Sequence, residues 1–152
     1  MSGMHFDASE VVALASRMAG ADRIMQTHLV AGVSDSGKYV EGGAKGIAPV
    51  VTGHYRRNIT SSAQAAAGGA QAIVRASAPY SRYVEYGRGP IVARGKMLRF
   101  TVGGRVVYAR RVGPARAQHV MKRALDANRG RIRARLQRAG REAANAIIGG
   151  AA

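Results

Sequence analysis

The chain of 152 residues contains no cysteine and no tryptophan, and only eight carboxylate side chains. Without cysteine there is no disulfide framework, no thiolate nucleophile and no sulfur ligand for zinc. That composition suits a reducing cytosol. Three acids, Glu85, Asp126 and Glu142, are all that residues 53–152 hold, too few for a carboxylate dyad or a two-metal site. The four histidines, His5, His28, His54 and His119, form no HxH, HExxH or HxxxH pair. No GxxxxGK[ST] loop is present, and Pro90 removes a backbone donor from the one glycine-rich stretch that could cradle a phosphate. Ser61, Ser62, Ser77 and Ser81 have no histidine or aspartate at recognisable spacing. Catalytic residues, bound cofactor and metal are therefore not expected. No run of about 18 apolar residues occurs, so no membrane span is expected. The N-terminus, MSGMHFDASE, lacks a basic head followed by an apolar stretch, so no secretion signal is expected.

What is abundant is arginine. The formal charge is +16, and it is unevenly spread. Residues 1–52 carry four basic and five acidic side chains, a balance of −1, whereas the remainder carries twenty basic and three acidic ones, a balance of +17. Arginine favours bidentate contact with carboxylate and phosphate. Such a surface suits nucleic acid or an acidic protein surface as partner, and a merely soluble basic surface is the remaining alternative.

The length suits one domain over residues 1–152 with a real core. Its parts are a helical segment 7–48, a sheet segment 54–112 and a final helix 116–148. The periodic set Val11, Leu14, Met18, Met25 and Leu29 predicts a helix over 7–31, with Asp7 or Ser9 as cap and Gly32 as its stop. A second helical piece is expected over about 37–48, ended by Pro49. Thr52-Gly53 then reverses the chain, and alternation from His54 predicts a strand. Gly68-Gly69 marks a turn, and residues 72–77 read as the return strand, with an Ala-rich tip expected to move or to pack on a neighbour. Tyr80, Tyr83, Val84 and Gly87 have the spacing of a short helix. Residues 88–95 read as a loop. A hairpin is expected around Gly103-Gly104, with Leu98, Phe100 and Val102 on one strand and Val106 and Tyr108 on the other. The final helix has an apolar stripe through Met121, Leu125, Ile132, Leu136 and Ala139, with arginines on its other faces. The sum is α+β: an antiparallel sheet of about four strands with a long helix from each end packed on one face.

Among the acids, Glu85 stands within an arginine-rich region. It is expected either to pair with Arg56, Arg57 or Arg82, within the fold or across a subunit boundary, or to be a plain surface carboxylate.

Three stretches carry a family resemblance. Residues 44–59, AKGIAPVVTGHYRRNI, resemble the motif AKxxAPVxTGxLRxSI, and residues 80–87, YSRYVEYG, resemble YAxYVEFG. KMLRF, then Gly-Gly, then VVYARRV is similar to a later hairpin of the same family. In this order they resemble the neck proteins of long-tailed bacteriophages, the tail-completion or head–tail joining type typified by coliphage Hong Kong ninety-seven. The resemblance covers about residues 44–136. Arg88 stands where the family often has Thr, His54-Tyr55 replaces the commoner Arg-Leu, and Val-Gly-Pro at 112–114 replaces a His-Pro-Gly. The resemblance implies a small subunit of a homo-oligomeric ring in the virion, assembled in the host cytoplasm. Its partners would be the connector or stopper, the tail tube and the DNA passing through. A ring that terminates the tail tube is the neighbouring reading, and a basic accessory protein binding DNA without sequence preference is the other. Expected interface or channel residues are Arg56, Arg57, Arg82, Glu85, Arg88 and Arg94; expected structural positions are Pro49, Thr52, Gly53, Tyr80 and Gly87.

Overall fold

A computed structural model describes residues 9–149. The fold is α+β, with long N- and C-terminal helices packed together and small antiparallel two-stranded sheets between them. Helix α1 spans Ser9–Ile47 and helix α4 spans Val120–Gly149. They run antiparallel. Gly43 faces Ala124 and Asn128, Asp35 meets Arg135, Gly32 faces Ala139 and His28 approaches Glu142. The expected cap Asp7 lies outside the described residues.

α1 is one helix, not two pieces, and this corrects the break expected at Gly32. Local propensity is overridden by packing. Ser36, Val40, Ala44 and Ala48 recur every fourth residue and are all buried. Ser36 Oγ donates to the Gly32 carbonyl at 2.8 Å, so its hydroxyl is satisfied inside the helix. A Cβ on Gly32 would stand 2.8 Å from the Ala139 Cβ, so the glycine is there to let α4 approach. The helix ends at Ile47, ahead of Pro49 as expected.

The chain next forms a single helical turn, α2, His54–Arg57, where a strand was expected. The turn is closed by the Arg57 and Asn58 N–H groups, which donate to the carbonyls of Gly53 and His54, and it carries the buried ring of Tyr55, 2% exposed. Strands β1, Ile59–Ala66, and β2, Gly69–Ala76, follow and pair along their whole length from Ile59↔Ala76 to Ala66↔Gly69. This hairpin packs along α1, where Ala72 and Ser61 lie against Gly37. At its tip, Gly68 and Gly69 line a crevice with Asp22, Met25 and Leu29 of α1. Between α1, β2 and α4 an open apolar groove of about 590 Å³ remains, with Lys122 as its one titratable lining side chain.

Helix α3, Ser81–Tyr86, forms as expected. Gly87, at φ +73°, then turns the chain away from the body. Strands β3, Ile91–Val92, and β6, Arg111–Val112, pair with each other, as do β4, Leu98–Val102, and β5, Arg105–Ala109. The single sheet of about four strands is therefore not formed; three two-stranded sheets stand in its place. β3–β6 follow Gly87 and have their substantial packing within their own pairs, and none of them pairs with β1 or β2. The last helix begins at Val120 rather than 116, because the backbone N–H groups of Gln118 and His119 donate to the carbonyls of Val84 and Glu85 at the end of α3.

Candidate interaction surface

The two motif stretches meet at the start of α4. Ala44 and Ala48 bring the end of α1 against Val120 and Ala124, and Tyr55, Ile59 and Ala78 complete a cluster of small and medium side chains. The Tyr55 ring lies 6.4 Å from that of Tyr80, and His54 lies 6.1 Å from Tyr80. Tyr55 Oη donates to Glu85 Oε1 at 2.7 Å. The same carboxylate accepts the Met121 backbone N–H at 3.2 and 3.3 Å. Burial, followed by this contact with a carboxylate, pushes the Tyr55 hydroxyl well above its ordinary range. A carboxylate at a helix N-terminus satisfies one of the donors that the first turn leaves free and complements the helix dipole.

Glu85 therefore ties three elements, α2, α3 and α4, within one subunit. The expected pairing with Arg56, Arg57 or Arg82 is not made within the chain. Gly53 takes φ +71° at the start of α2, a left-handed conformation that glycine adopts without strain. Thr52 is exposed, and its Oγ1 accepts only a long contact, 3.4 Å, from the His54 N–H. Pro49 is half-buried beyond the end of α1, and Tyr80 precedes the first turn of α3. At Gly87 a Cβ would lie 2.6 Å from the Ala115 carbonyl oxygen and 2.8 Å from the Ala117 nitrogen. That glycine is where two chain segments cross, and Arg88 and Ala115 bridge there through a reciprocal pair of 3.0 Å hydrogen bonds.

The remaining expected residues are on the surface. Arg56 and Arg57 on α2, and Arg82 on the adjacent α3, are exposed. Arg94 is exposed on the β3–β6 segment, and Arg88, half-buried at its base, donates to the carbonyls of Gly89 and Gly113 at 3.2 and 3.3 Å. None of these five has a carboxylate partner among the described residues. The arginines of α4 are not uniformly free. Arg135 is turned inward to Asp35 at 2.9 Å, Arg129 pairs with Asp126, and Arg131 lies 4.4 Å from the centre of the Tyr39 ring. Helical spacing missed Arg135 because its partner is a hundred residues away in sequence. The Tyr55–Glu85–Met121 link left no local signal at all.

Among the described residues no three His, Asp or Glu side chains gather as metal ligands, and no helix is long and apolar enough to cross a membrane. No curated protein and no solved structure matches the chain. One family model does, over residues 14–87, from α1 to the glycine after α3; its description is "Bacteriophage HK97-gp10, putative tail-component". The motif stretches 44–59 and 80–87 fall inside that match, and the third, the hairpin about Gly103-Gly104, lies beyond it. Residues 14–87 of this chain, just under half of it, match the HK97-gp10-like family, described as a putative bacteriophage tail component.

Proposed function

We propose that the chain is a structural subunit of a homo-oligomeric ring at the head–tail junction of a tailed phage, through which the genome passes. The observation that carries this reading is the family match over residues 14–87, which contains two of the three motif stretches in order. The charge distribution supports it. A ring needs heterologous contacts, in which two unlike patches of one subunit meet. The near-neutral N-terminal third and the strongly basic remainder are unlike. Arg56, Arg57 and Arg82 stand exposed without a carboxylate partner among the described residues, which suits contact with a neighbour. Connector or stopper and tail-tube proteins are the partners on either side, and the virion is the place of action after assembly in the host cytoplasm.

Electron microscopy of the purified protein and of washed virions tests the proposal. A closed ring at the joint is expected. Protein found in infected-cell lysate and never in washed particles sinks it. Phage lacking the gene separates joining from termination: unattached heads with normal-length tails indicate joining, and overlong tails indicate a terminator ring. The exposed Arg123, Arg133 and Arg141 of α4 favour one second reading, a basic accessory protein that binds DNA. Binding to duplex DNA that weakens steeply with salt, together with absence from particles, selects that reading.

A further inference from the structure

Residues 88–116 hold eight arginines and lysines and no carboxylate. No residue from Gly89 to His119 is buried. The segment is anchored at its base by the Arg88–Ala115 bridge and packs on the body nowhere substantially. It nevertheless carries much of the exposed apolar surface of the described chain. Tyr108 is 60% exposed, Val102 58% and Val106 47%.

The pairing register divides these groups between two faces. Phe100 stands opposite Val107, on the face of Leu98 and Val102. Thr101 opposite Val106, and Arg99 opposite Tyr108, lie on the other face. The alternation expected for a hairpin with one core-facing side is absent: both faces carry apolar groups. A two-stranded hairpin is marginal in water by itself, and large exposed apolar patches mark interaction sites. A two-sided apolar hairpin is the shape of an element held between two walls.

Resting on the virion reading above, we propose that residues 88–116 are a docking arm, gripped on both faces by an apolar cleft with an acidic rim on a different virion protein. Charge complementarity selects the partner. A second copy of this chain is a poor match, because outside the arm the described residues still carry sixteen basic and seven acidic side chains. Five of those carboxylates, Asp35, Glu41, Glu85, Asp126 and Glu142, are already engaged within the subunit. Nucleic acid is also a poor match. Phosphates would satisfy Arg99, Arg105 and Arg110 but would leave Val102, Val106 and Val107 in water. An acidic apolar cleft satisfies both sets, and the charges speed and orient the encounter.

The test places the photo-crosslinking residue p-benzoylphenylalanine at Phe100 in one phage and at Tyr108 in another, so that each face reports separately. Washed particles are irradiated and the linked peptides identified. The expected result is that both positions link to one non-identical virion protein, at peptides rich in Asp and Glu. Arg99→Glu together with Arg110→Glu should abolish the links, and the paired Lys substitutions should retain them. Links to a second copy or to DNA, links from one face alone, or no link in particles that contain the chain overturn the arm proposal. Absence of the chain from washed particles overturns the virion reading, and the arm proposal with it.

Discussion

Tyr55, Glu85 and the Met121 amide make the clearest residue-scale statement in the molecule. A phenol hydroxyl buried against a carboxylate must remain protonated for the contact to hold. The sign follows: the folded-state pKa of Tyr55 lies above the unfolded value near 10.0, so its contribution is complete below that pH and is lost as pH rises past it. Thermal unfolding should therefore fall off above pH 10, and Tyr55→Phe should flatten that alkaline limb. At neutral pH the same substitution should cost about 1.5–3 kcal/mol, the range for a hydrogen bond to a charged group. Equal alkaline slopes in the two proteins would show that another group controls the limb. Gly53 and Arg57, four residues apart, separate scaffold from surface. Gly53→Val puts a β-branched residue at φ +71°, and it should lower stability by about 1–2 kcal/mol or more, seen by circular dichroism. Arg57→Glu changes an exposed side chain and should leave the monomer folded while reducing ring assembly in micrographs. The reverse pattern would undo this division of the stretch.

At the scale of elements, the α1–α4 pair is held by small residues. Ala44, Ala139 and Ala143 are fully buried, and Gly32 and Gly43 sit where a methyl group would press on α4. The close approach decides the sign of two substitutions that helix propensity would rank alike. Ala is favoured over Gly in a helix by about 1 kcal/mol. Gly130→Ala, with open space around the new Cβ, should gain about that much and raise the melting temperature by about 2–4 °C. Gly32→Ala should lower it, since its Cβ would lie 2.8 Å from that of Ala139, across two helices that cannot part locally. A rise in both would mean that the helices separate at little cost. Much of this pairing was legible in advance as two amphipathic stripes. The continuity of α1 through Ser34–Gly43 was not, because glycines that read as a break in one helix read as a contact surface once a second helix is beside it.

For the whole molecule, stability and docking belong to different parts. The body, from α1 to α3 with α4, contains every buried residue described, and the arm contains none. Replacing residues 97–109 by a short Gly-Ser link should therefore leave the thermal midpoint of the body within a few degrees of the intact chain, by differential scanning fluorimetry. A fall of ten degrees or more would place the arm in the cooperative unit. The acid limb should belong to the body as well. Hydrogen bonds from Lys45 and Ser61 hold the Glu41 carboxyl below its ordinary range, so its contribution is present at neutral pH and is lost as pH falls through the carboxylate range. Glu41→Gln should reduce the drop in stability between neutral and acid pH.

By itself the sequence determined the class of the chain: α+β, helices at both ends, a hairpin about Gly103-Gly104, no sulfur chemistry, and a basic charge confined to the part after residue 52. Those features depend on composition, on periodicity and on turn chemistry, all of which are local. Tertiary structure alone decided which arginines are spent inside the fold, as Arg135 is on Asp35. It set Glu85 at the start of α4, accepting from the Met121 N–H, and it made a free arm of strands that alternation would have placed in one sheet. The reason is the same in each case. Hydrogen bonds and ion pairs between residues thirty to a hundred positions apart are set by how elements pack, and alternation along one strand does not say which partner, if any, will cover each of its faces.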